Sequence, residues 1–77
     1  MERLLKELFQ KVPAENQQRL NEIITLGRKV YTDNGFYEFL STPLKEFENT
    51  TAYDMILEGN FDTVICALSA DYEGLGP

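Results

Sequence analysis

Thirteen carboxylates, four tyrosines and a single thiol are the side chains of this 77-residue chain that could do chemistry, and no histidine is present to serve them as a base. A nucleophilic mechanism would need Cys66 or a serine beside such a base. Cys66 instead lies between Ile65 and Ala67 in an apolar helical stripe, where a small core or helix-packing residue is expected. General acid–base work would need paired carboxylates. The near pairs are Glu46 with Glu48 and Asp71 with Glu73, and neither carries supporting residues, so they read as solvated acids. One thiol without imidazole cannot assemble a structural zinc site or an intrachain disulfide. Gly74 and Gly76 are not followed by a helix whose N-terminus could receive a phosphate. The residues therefore predict no enzyme, no cofactor and no metal.

Composition narrows the class further. The chain is 43% hydrophobic and 26% charged, an ordinary globular balance for one small domain spanning 1–77. Residues 1–31 carry six basic and four acidic side chains (+2), whereas residues 32–77 carry only Lys45 against nine acids (−8), for a net charge of −6. A broad nucleic-acid surface is not expected. Arg19, Arg28 and Lys29 could touch phosphates only weakly, with strong salt dependence. Charges interrupt the apolar positions of the N-terminal MERLLKELFQK, so neither a spanning helix nor a signal segment is predicted. A cytoplasmic location and no membrane partner are the corresponding expectations.

The elements that must position these groups read as helices throughout. Leu4, Leu5, Leu8, Phe9 and Val12 form a stripe ending a first helix near Gln10 or Lys11. Pro13 suits the first turn of a second helix over roughly 13–31, whose stripe includes Leu20, Ile23, Ile24, Gly27, Val30 and Tyr31. Gly27 within that helix marks either close packing of another helix, the favoured reading, or a bend. Asp33 or Asn34 is expected to cap a short third helix carrying Phe36, Phe39 and Leu40, which Thr42-Pro43 stops. An ordered loop anchored by Leu44 and Phe47 should follow. Thr51 then caps a helix over about 52–58, Gly59 ends it, and Asn60 caps a last helix lined by Phe61, Val64, Ile65, Leu68 and Tyr72. The prediction is an all-α fold, a compact small bundle of about five helices, with 1–31 as an N-terminal helical pair and 75–77 as a free tail.

Tyr31, Tyr37, Tyr53 and Tyr72 each combine a large apolar face with a hydroxyl that can stay wet, which suits either a protein interface or the edge of a core. The Gly-Leu-Gly-Pro tail is slim enough to enter a partner's cleft, or else to fray into solvent.

The stretch from Phe36 to Gly74 resembles the C-terminal toxin-binding domain of the MbcA/ParS/Xre antitoxin family. Phe39-Leu40 looks like that family's aromatic-Leu pair, Thr42-Pro43-Leu44 its loop, and Phe47-Glu48-Asn49 its turn. Thr51 to Leu57 is similar to the Thr-led helix, Glu58-Gly59-Asn60 to the break, Val64 to Leu68 to the last helix, and Asp71-Tyr72-Glu73-Gly74 to the terminal signature. Ala52 stands where the family usually has proline, Ala70 where it often has arginine, and the order of Asp71-Tyr72-Glu73 is changed. The two helices before residue 32 are too few for an Xre helix-turn-helix, so direct DNA binding is not expected.

The resemblance implies an antitoxin-like inhibitor of a cognate RES-type, NAD-consuming toxin, working by obstruction of the active-site cleft. Asp71, Tyr72, Glu73 and Gly74 would lie at the cleft mouth, and Leu75, Gly76 and Pro77 would project inward. An acidic element would complement a cleft built for an anionic dinucleotide. The alternative expectation is a small adaptor or phage-encoded regulator of another protein, with the acidic half as a nucleic-acid mimic. Self-association through the N-terminal helices, as a homo-oligomer, stays open.

Overall fold

A computed structural model describes residues 2–74, and within them the chain is all-α with no strand. Five α-helices run α1 (Glu2–Lys11), α2 (Gln17–Val30), α3 (Asp33–Ser41), α4 (Ala52–Leu57) and α5 (Phe61–Gly74). Short 3-10 turns, Ala14–Asn16 and Lys45–Phe47, lie before α2 and between α3 and α4.

Helix α1 forms because its apolar residues recur at helical spacing; Leu5, Leu8 and Val12 turn into the core while Leu4 and Phe9 are partly buried beside it. Its strongest apolar stripe is thus already covered within the chain. The expected single helix over 13–31 is two pieces. Pro13, with ψ at 148°, leads into the 3-10 turn Ala14–Asn16, and regular α-geometry begins only at Gln17. Proline lacks an N–H and disfavours helical geometry before it, so the chain enters α2 through a tighter turn.

Helix α5 lies along α2, and Leu20 and Ile23 of α2 share the core with Val64 and Leu68 of α5. At Gly27, α2 meets a side chain of α3. A Cβ at that position would stand 2.4 Å from the Phe36 ring, which is almost fully buried, so α2 is kept bare there to admit an aromatic side chain. The packing anticipated at Gly27 is therefore present. Phe36, Phe39 and Leu40 join the core from α3, which packs on both α2 and α4. Phe39 stacks on Phe36 at 6.5 Å and meets Phe47 edge-on at 6.2 Å.

The cap of α3 differs from the expectation of Asp33 or Asn34. Thr32 is the cap: its Oγ1 accepts from the Gly35 amide at 3.1 Å, which moves the helix start one residue upstream and makes Asp33 a first-turn acid. At α4 the expected Thr51 cap is present, accepting from the Asp54 amide at 3.1 Å. Between these helices, Leu44 and Thr50 form an isolated bridge around the 3-10 turn, with Phe47 buried. The turn closes through Glu48 and Asn49, both left-handed, at φ 56° and 66°.

Helix α4 ends in a Schellman motif. Gly59 has φ 87°, its amide donates to the Ile56 carbonyl at 3.0 Å, and the Asn60 amide donates to the Met55 carbonyl at 2.9 Å. The Asn60 side chain turns back, its Nδ2 reaching Glu58 at 3.4 Å and Met55 Sδ at 3.9 Å. A Cβ on Gly59 would meet nothing within 4 Å, so the glycine is needed for its backbone conformation alone. Gly59→Ala is expected to cost about 1 kcal/mol. In a domain of this size that lowers the thermal midpoint by about 4–8 °C, measurable by circular dichroism.

Candidate functional site

The C-terminal half of α5 is the segment on which the sequence concentrates its candidate binding residues, and its geometry follows from where the core stops. Phe61, Val64 and Leu68 are buried, at i, i+3 and i+7, but from Ser69 to Tyr72 no residue is buried. The end of α5 therefore extends past the residues that anchor it.

Tyr72 does not line the inner face as the stripe suggested; its side chain is 50% exposed. One residue earlier, Asp71 is exposed on the surface yet tied down, since its Oδ2 accepts a hydrogen bond from the Tyr31 hydroxyl at 2.6 Å. Glu73 and Gly74 complete the last turn of the helix backbone. The expected contacts at Leu75, Gly76 and Pro77, and the side chain of Glu73, lie outside the described residues.

Tyr31 enters this site from the far end of α2, where its amide donates to the Gly27 carbonyl at 2.9 Å. Its ring stacks on Phe39 with centroids 5.5 Å apart, so the hydroxyl projects from a packed aromatic cluster. Partial burial, the Asp71 hydrogen bond and the neighbouring charges of Asp71 and Glu46 push the phenol up to about 12. The sign of the linkage is clear. Below pH 10 both folded and unfolded states keep the proton and the stabilisation is complete; between about pH 10 and 12 the unfolded phenol ionises first and the stabilisation is lost. The stability advantage of the native chain over Tyr31→Phe should therefore shrink across that window, as read by denaturant midpoints at pH 9 and pH 12.

Electrostatics distinguish this end of the molecule. The C-terminus of a helix carries partial negative charge, favouring cations in the last turn. No basic residue occupies the last turn of α5, while Asp71 and Glu73 stand within its final four residues. Negative side chains thus add to a negative helix end, an arrangement that a cationic surface would relieve.

The other candidate groups are scattered. Cys66 corrects the expectation of a core residue: it is exposed. It follows the buried Val64 by two residues, which places it on roughly the opposite side of the helix. The spacing of Phe61, Val64 and Leu68 held the signal for this, obscured by the apolar neighbours Ile65 and Ala67. Arg19 is engaged on the surface, pairing with Glu22 at 2.9 Å and with Asp62. Tyr53 ties α4 to α1; Lys11 donates to its hydroxyl at 3.0 Å, and that hydroxyl donates to Glu7 at 3.3 Å. This contact raises the Lys11 pKa above its ordinary value. Tyr37 is 46% exposed beside an open groove of about 490 Å³ bordered by Arg3, Leu4 and Glu7. No helix among the described residues is long and apolar enough to cross a membrane.

The pairing at the heart of the site had no sequence signal. Tyr31 and Asp71 are 40 residues apart, and nothing in either neighbourhood marks them as partners. Glu46, whose charge acts on the same phenol, belongs to the 3-10 turn between α3 and α4. No protein-family model, curated protein or solved structure matches this chain.

Proposed function

We propose that this chain is an antitoxin-like protein inhibitor that docks the C-terminal end of α5 into the active-site cleft of a RES-type, NAD-consuming toxin. The observation that carries the reading is the half-exposed Tyr72 on a helix end whose last turn is acidic and holds no cation. An exposed tyrosine supplies apolar contact area at small entropic cost together with one hydroxyl, and such residues are enriched among interface hot spots. A cleft that binds an anionic dinucleotide presents cationic groups, which complement Glu73 and the negative end of the helix. The choice of toxin class rests on the resemblance of residues 36–74, and the all-α bundle is compatible with it.

The test co-expresses the full chain with the cognate toxin and follows cellular NAD. Tyr72→Ala is expected to weaken the complex about tenfold, equivalent to ~1.4 kcal/mol, and to reduce protection of NAD. Removal of Leu75 to Pro77 is expected to impair protection while helicity is unchanged. Undiminished NAD in cells making toxin with the Tyr72→Ala chain would overturn docking through α5.

A further inference from the structure

The geometry points to Tyr31 as a positioning residue for the docking end of α5: its hydroxyl, projecting from the aromatic cluster at the α2–α3 junction, pins Asp71 and thereby fixes the direction in which Tyr72 is presented. This inference rests on the proposed reading of that helix end as the inhibitor's docking element, and it assigns Asp71 a different task from the partner contact expected of it.

Three observations carry it. First, burial along α5 stops at Leu68, so the turn bearing Asp71 and Tyr72 has no apolar anchor of its own. Helix ends in that condition fray, because their last carbonyls lack intrahelical partners. Second, Tyr31 is itself held: its ring stacks on Phe39, which stacks on the buried Phe36 and meets the buried Phe47, giving a packed path from the core to the hydroxyl. Third, the bond between Tyr31 and Asp71 is 2.6 Å long, in the range of a hydroxyl donating to a carboxylate. Successive residues of a helix are separated by about 100° around its axis. Pinning Asp71 therefore sets the azimuth of Tyr72. Without the tie, the last turn samples other directions, and binding carries an added entropic penalty.

The experiment uses the full chain. Amide hydrogen exchange on the isolated protein reads the tie without any partner, and NAD protection in cells making the RES-type toxin reads its consequence. Tyr31→Phe keeps the ring stack and removes only the hydroxyl; it is expected to speed exchange of the amides of the last turn about fivefold while amides at Leu20 and Leu68 are unchanged. Asp71→Asn keeps an oxygen that can accept from Tyr31, and should retain both slow exchange and protection, whereas Asp71→Ala should lose both. Tyr31→Phe combined with Asp71→Ala should be no worse than either alone.

Unchanged exchange in Tyr31→Phe would overturn the inference. So would equal loss of protection in Asp71→Asn and Asp71→Ala with full protection in Tyr31→Phe, because that pattern marks Asp71 as a charge contacted directly by the toxin. Failure of the docking reading looks different: Tyr72→Ala would then protect fully, whatever the exchange of the last turn.

Discussion

Phe36→Ala is expected to destabilise the chain by about 3–5 kcal/mol, the range for deleting a buried aromatic ring. A chain of 77 residues has a total stability of about 4–12 kcal/mol, so the loss removes about a quarter of it at least and all of it at the lower end of that range. The expectation has a structural reason beyond ring size. Phe36 is 1% exposed, fills the notch at Gly27 and stacks on Phe39, which in turn supports Tyr31 and Phe47. Gly27, against which the ring packs, has no side chain to move into the space. Denaturant titration by circular dichroism checks it. A loss below about 1.5 kcal/mol would show that α2 and α3 close the cavity and that the close approach is not needed.

Gly27→Val is expected to cost about 3 kcal/mol by the opposite route. The Cβ alone would stand 2.4 Å from one ring carbon of Phe36 and 2.5 Å from another, and the two further methyl groups enlarge the clash. Alanine at this position should be milder, because the better helix propensity of Ala offsets about 1 kcal/mol of the overlap. The two sites are coupled. Replacing Phe36 with leucine shortens the group facing residue 27, so the cost of Gly27→Val measured in a Phe36→Leu background should fall by at least 1 kcal/mol. Additive costs would indicate that the helices move apart instead of the side chains competing for one space.

Both predictions concern a contact that was half legible. A glycine inside an otherwise regular helical stripe announces close approach, because it weakens the helix without any local compensation. Its partner was not legible, since Phe36 is separated from Gly27 by a helix end and a turn. The same division runs through the caps. Thr51 was readable because an acid follows three residues later, whereas four polar or small residues in a row, from Thr32 to Gly35, offered several possible starts for α3. Only the direction of the chain after α2 selected Thr32.

Periodicity located the inner face of α5 through Phe61, Val64 and Leu68, but its outer limits were blurred. Apolar character extends round to Ile65, Cys66 and Ala67, and the pattern continues to Tyr72 although the core does not. Where a helix outruns the body it packs on, its stripe persists in sequence and ends in space, which is how Cys66 and Tyr72 come to be exposed. Residue type and position therefore mark the candidate site in the sequence, but not the tie between Tyr31 and Asp71.

The amino-acid order alone determined the helical class, the helices and their approximate ends, and the concentration of acid toward the C-terminus, because each depends on residues within a few positions of one another. Tertiary structure decided which aromatic ring fills the notch at Gly27, that Cys66 faces outward, and that Asp71 is tied to Tyr31. Those outcomes depend on how whole helices sit against each other, and no local pattern encodes the meeting of side chains 40 residues apart.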